Sequence, residues 1–254
     1  IATQRADTLG STWLNLGTVS YMNRLNGLSV NVLAGATRTD AIGLQLSGIA
    51  NATGGSMQGI QVAGITNING DKLRGISLSG LVNISGDKAQ GLMASGLVTI
   101  SGEELQGVSI GGLLNITGEK SRGVQIGGLA NITGEKAAGI SLGGLLNVSG
   151  ESMSGIQLAG LGNITGEKLN GIQLGALFNV TGGTLRGLQL AGLGNLCGGT
   201  VQGLQLSPFN AAKRVTGAQL GLVNYRKDSL SRGLQLGLVN LTPRTRYQLM
   251  LGVG

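Results

Sequence analysis

A glycine recurs at residues 27, 43, 59, 75, 91, 107, 123, 139, 155, 171, 187 and 203, a period of 16 held through eleven intervals without an insertion. A repeat this short cannot enclose a core of its own. One unit buries too little apolar surface to offset the entropy of ordering its backbone, so successive units must stack. With the recurring Gly as position 1, positions 2, 4, 7, 10 and 15 are dominated by aliphatic residues, as in Ile156, Leu158, Leu161, Ile164 and Leu169. Positions 2 and 4 alternate around a Gln or Ser at position 3, which is strand periodicity; Gly at positions 1, 6 and 12 also opposes a helix. "TGEK" and "SGDK" at positions 11 to 14 are turn sequences.

The expected fold is therefore all-β: a single β-solenoid of about twelve 16-residue coils, with two short strands per coil, parallel in-register stacking and atypical terminal coils. Alternation assigns the aliphatic columns to the core and the Gln/Ser column at position 3 to the outside. Three regions are expected: a degenerate capping coil with its leading segment over 1–26, the regular solenoid over 27–206, and variant basic coils over 207–254 leading to a further domain. Trp13 and Tyr21 mark the first, alongside the apolar Leu14, Leu16 and Val19. In the last, Asn210, Asn224 and Asn240 stand at position 8 rather than 9.

Position 9 is Asn at Asn51, Asn67, Asn83, Asn115, Asn131, Asn147, Asn163, Asn179 and Asn195, with Thr99 as the exception. A column of identical amides can bond from coil to coil, so these residues are expected to form a structural ladder. Seven of them also begin an Asn-X-Ser/Thr triplet, which the repeat produces of itself whether or not glycans are attached. Acidic residues at position 13 and Lys at position 14 read as a solvated turn with alternating charge. The Ser/Thr column at position 11 and the Gln/Ser column at position 3 are the two candidate outward polar stripes.

Inventory argues against an enzyme. The 254 residues include no His and one Cys, and they show no nucleophile elbow or phosphate-binding loop. No catalytic, cofactor or metal-ligating residue is assigned. Charge is informative mainly at one end. Residues 55–202 hold eight basic and eight acidic side chains, whereas residues 211–254 hold seven basic ones against Asp228 alone. Lys213, Arg214, Arg226, Lys227, Arg232, Arg244 and Arg246 are the candidate contact for a protein partner, a further domain or membrane headgroups. The lack of aromatic interleaving argues against nucleic acid.

The units "GAQLGLVN" (217–224) and "GLQLGLVN" (233–240) resemble those of bacterial cell-surface repeat proteins built from GLQLGLVN-type repeats, and the likeness extends over roughly residues 27–240. The resemblance implies an exported bacterial protein at the cell surface or outer membrane, and it carries over no catalytic residues. The expected function is a rigid, non-enzymatic scaffold that spaces or presents a partner. The alternative is a glycan-binding or adhesion module using an outward Gln/Ser or Ser/Thr stripe.

Overall fold

The computed structural model describes residues 2–3, 10–228 and 231–243. The chain divides into two compact units, Ile1–Gly128 and Leu129–Gly254. Each is an all-β solenoid of parallel strands.

In the first unit, Ser11–Met22 lies parallel to Arg24–Thr37 with register shifts between Thr12 and Leu14 and between Gly17 and Val19. Regular coils follow, in which an eight-residue strand such as Lys88–Ser95 alternates with a four-residue strand such as Val98–Ser101. Bends at positions 6–7 and 12–13 join them. The second unit repeats the plan: Ser152–Ala159 pairs with Lys168–Gly175, placing Gly155 on Gly171 and Gln157 on Gln173. From Leu204 onward the first strand of each coil shortens to three residues, in Leu204–Leu206, Ala218–Leu220 and Leu234–Leu236.

Position 1 interrupts the longer strand with a backbone that only Gly adopts comfortably. From Gly27 to Gly187 the eleven glycines of this column have φ between 118° and 155°. The coil turns there without leaving the ladder, which divides its path into three segments: positions 14–16, 2–5 and 8–11.

The polarity of the coil is the reverse of the expected one. Position 3 faces inward, so Gln61, Gln157, Gln173, Gln189 and Gln205 are all 0% exposed. Positions 9 and 11 face inward as well, and Leu, Met or Ala at position 15 supplies the apolar part of the interior, for example Met57, Leu73 and Leu105 in the first unit and Met153, Leu169 and Leu185 in the second. The aliphatic columns at positions 2, 4, 7 and 10 lie outside: Ile156 is 38% exposed and Leu158 46%. The first coil is inverted in the same way. Trp13 is 74% exposed and Leu14, Leu16 and Val19 are also exposed, while Asn15 and Ser20 are buried and bond to Asn31 Oδ1 at 3.0 and 2.7 Å.

Stacking chemistry explains the inversion. Alternation defines two faces of a strand but not which one closes the coil. Coils about 4.8 Å apart bring each interior amide to the spacing at which identical amides hydrogen-bond in series. An outward Ile in such a column still buries its flanks against the Ile above and below, so much of its apolar area leaves water without entering the interior. The interior contains some unpaired groups. The Ser79 and Ser95 hydroxyls at position 5 have no hydrogen-bond partner, and Ala already occupies this column at Ala63, Ala159 and Ala191. Because a buried unpaired hydroxyl costs about 1 kcal/mol or more, the S79A/S95A double variant is expected to unfold at a higher urea concentration than the parent.

Candidate functional site

Two amide ladders run through the interior. Asn side chains at position 9 donate to the Asn of the next coil: Asn147 Nδ2 to Asn163 Oδ1 at 2.9 Å, Asn163 to Asn179 at 2.8 Å, and Asn179 to Asn195 at 3.0 Å. In the first unit Asn51 and Asn67 do the same toward Asn67 and Asn83, both at 3.0 Å. The second amide hydrogen caps a carbonyl at position 4 of the following coil, as Asn163 does at Leu174 O at 2.8 Å, just before the bend. Asn131 donates to Asn147 at 2.8 Å, and Thr99 continues the column by donating its hydroxyl to Asn115.

The Gln ladder runs the opposite way. Gln173 Nε2 donates back to Gln157 Oε1, Gln189 back to Gln173, and Gln205 back to Gln189, each at 2.8 Å. Threonines at position 11 tie the two strands together, since Gln173 and Gln189 also donate to Thr165 and Thr181 at 3.0 Å. The antiparallel amide chains oppose each other's dipoles, which favours their sharing one narrow interior. Cys197 takes the place of Thr in this column and donates its thiol to Gly183 O at 3.0 Å. Burial pushes its pKa up, so it is a packing residue rather than a nucleophile.

These positions correct the expectation of outward polar stripes. Neither polar stripe is outward: the Gln/Ser and Ser/Thr columns both line the interior, out of reach of a glycan. The triplet asparagines Asn51, Asn83, Asn115, Asn131, Asn147, Asn163 and Asn179 are buried to 1% exposure or less, so their side chains present nothing to a glycosylating enzyme.

The outer surface is divided by chemistry. Charge collects along positions 12–16, where Glu104 accepts from Arg122 at 3.0 Å and pairs with Lys88 at 3.3 Å, and Lys136 meets Glu151 at 3.6 Å. A hydrogen bond from Gln106, followed by the Lys88 and Arg122 charges, holds the Glu104 carboxyl below its ordinary value. Such exposed pairs contribute little stability. On the other side of each coil, segments 2–5 and 8–11 and the bend between them carry Ile, Leu and Val outward. At the bend itself Leu129, Leu145 and Leu177 are 40–42% exposed. Sequence reasoning misplaced this face because it ranked residues by hydrophobicity alone.

The basic cluster is not one patch. Arg226 points inward, only 7% exposed, donating to Thr242 Oγ1 at 2.7 Å and Gly233 O at 2.9 Å; burial lowers its pKa. Arg214 forms a two-nitrogen pair with Asp228 Oδ2 at 2.9 and 2.6 Å. Lys213, Lys227 and Arg232 are exposed, and Arg244 and Arg246 lie outside the described residues. Among the described residues no group of His, Cys, Asp and Glu could hold a metal ion, and no helix is long and apolar enough to cross a membrane. No protein family, curated protein or solved structure matches the chain.

Proposed function

We propose that the chain is a non-enzymatic structural element of the bacterial cell envelope whose outward aliphatic faces rest in a lipid interface while its charged edge stays in water. The observation that carries this reading is the inverted coil: amides and hydroxyls satisfied inside, Ile and Leu repeated outside, and charge confined to positions 12–16. Exposed apolar surface repeated coil after coil marks a contact surface. Its composition favours lipid over a protein partner. Protein hot spots concentrate Trp, Tyr and Arg, whereas these columns are almost uniformly aliphatic and offer no directional bond. Segregation of an apolar face from a charged one is the pattern of elements that lie in the membrane interface, and the formal charge of +7 adds attraction to anionic headgroups. The same faces support a scaffold at the cell surface or outer membrane. The glycan-binding alternative loses its support, because both stripes it relied on face inward.

Co-flotation with phosphatidylglycerol/phosphatidylcholine vesicles tests the reading. The parent protein is expected to float. Replacing Leu129, Leu145, Leu161 and Leu177 together with Gln removes roughly 1 kcal/mol of apolar contact per site, so partitioning is expected to fall at least about a hundredfold with unchanged circular dichroism. A parent protein that stays at the bottom of the gradient, or a variant that floats as well as the parent, would overturn it. Protease treatment of intact cells checks the location separately.

A further inference from the structure

One place on the outward face is a built slot. At position 8 the second unit places Gly162, Phe178 and Gly194 in register, and Phe209 of the next, shorter-cornered coil continues the column. The Phe178 ring leans back over Gly162, where an added Cβ would stand 2.6 Å from two of its ring carbons. No ring fills the corresponding gap at Gly194, where a Cβ would meet only Phe209 O at 3.5 Å and Phe209 Cβ at 3.9 Å. The result is an apolar slot of about 380 Å³ between the two phenylalanines, walled by Val180, Leu196 and Tyr225. That volume is at the lower end of small-molecule sites.

Two cations follow residues that line this slot. The outward residues of one strand are Phe209 and Ala211, followed by Lys213; in the next coil they are Val223 and Tyr225, followed by Lys227. Both lysines are exposed and lie two residues beyond Ala211 and Tyr225, within about 7 Å of them at 3.3 Å per residue. Asp228 Nα donates to Lys213 O at 2.8 Å, so the two lysines also fall in adjacent coils. The nearest acid in sequence, Asp228, is engaged by Arg214, and neither lysine forms an ion pair among the described residues. Two like charges about one coil apart raise each other's energy unless an anion lies between them.

We propose that this slot binds an anionic amphiphile, with its alkyl chain between Phe178 and Phe209 over Gly194 and its anionic head on Lys213 and Lys227. The proposal rests on the apolar outward faces of the envelope reading and adds a defined ligand class at one position. The test is titration of the full chain with laurate below its micelle concentration, alongside acetate, inorganic phosphate and dodecyltrimethylammonium. Laurate is expected to bind at least about tenfold more tightly than any of the other three. Gly194→Leu fills the slot with a residue that position 8 already holds at Leu114 and Leu146, and it is expected to weaken laurate at least about tenfold while leaving vesicle flotation unchanged. The exposed double variant K213E/K227E gives a second reading independent of slot filling; it is expected to weaken laurate and strengthen dodecyltrimethylammonium. No binding of laurate by the parent, parent-like affinity in Gly194→Leu, or laurate affinity unaffected by K213E/K227E overturns the proposal. Flotation of the parent distinguishes that failure from a failure of the lipid-interface reading.

Discussion

Gly155→Ala is expected to cost at least about 4 kcal/mol of stability and to leave much of the protein insoluble. Gly155 has φ +127°, and a Cβ there would stand 2.1 Å from Gly139 O and 3.0 Å from Gly139 C in the coil beneath. Nothing at that contact can rotate away, because both atoms are backbone. Relief requires widening the stack, yet the spacing is fixed by ladder bonds between every pair of neighbouring strands and by the amide chains inside. The unfavourable dihedral alone costs about 1–2 kcal/mol, and the broken ladder bonds add to it. Gly194→Ala is the internal control: an added Cβ there makes ordinary contacts, so its cost is expected to stay within about 1 kcal/mol. Urea unfolding of the two variants beside the parent decides the matter. Equal midpoints for Gly155→Ala and Gly194→Ala would refute close stacking at position 1.

The architecture is legible in the sequence because the period acts through backbone geometry. Sixteen-residue spacing, Gly at positions 1, 6 and 12, and strand alternation around position 3 all point to stacked parallel coils, and the pairing of Gly155 with Gly171 and Gln157 with Gln173 is that register. Which face turns inward is not given by alternation, since hydrophobicity ranks Ile156 above Gln157 for burial and ignores what a column of glutamines can do for itself. A finer signal is nevertheless present. Across twelve coils position 3 is Gln, Ser or Met, and across the eleven coils before the corner shortens position 11 is Thr, Ser, Asn or Cys, with no charged residue in either, whereas positions 13, 14 and 16 carry Glu, Asp, Lys and Arg freely. A solvent-facing polar column tolerates charge; a buried one does not. Met93 in the position 3 column, 1% exposed, points the same way. The basic C-terminal residues are legible only as a composition. That Arg226 turns into the interior while Lys213 and Lys227 stand exposed depends on a corner one residue shorter, which moves the inward phase of the strand.

Gln173→Glu probes the inverted polarity most directly, because its predicted effect depends on pH. Gln173 is 0% exposed, accepts from Gln189 at 2.8 Å and donates to Gln157 Oε1 at 2.8 Å and Thr165 Oγ1 at 3.0 Å. A protonated Glu can accept from Gln189 and donate its one hydrogen to Gln157, with the Thr165 hydroxyl turning to act as donor, so near pH 4 the variant is expected to lie within about 1–2 kcal/mol of the parent. An ionised Glu would face the Gln157 carbonyl oxygen with no hydrogen between them, in a site closed to bulk solvent. The folded state therefore holds the proton, and its carboxyl pKa lies above the unfolded value of about 4.3. With the folded pKa raised, the variant is least penalised below that unfolded value. As pH rises the unfolded chain ionises and the folded one does not, at about 1.4 kcal/mol per unit. By pH 7 the added penalty reaches about 3–4 kcal/mol, read as a urea midpoint that falls with pH relative to the parent. Gln173→Met, which copies Met93, is expected to show a smaller cost with no pH dependence. Were position 3 on the outside, Gln173→Glu would cost little at any pH, and the two variants would be indistinguishable across the same range.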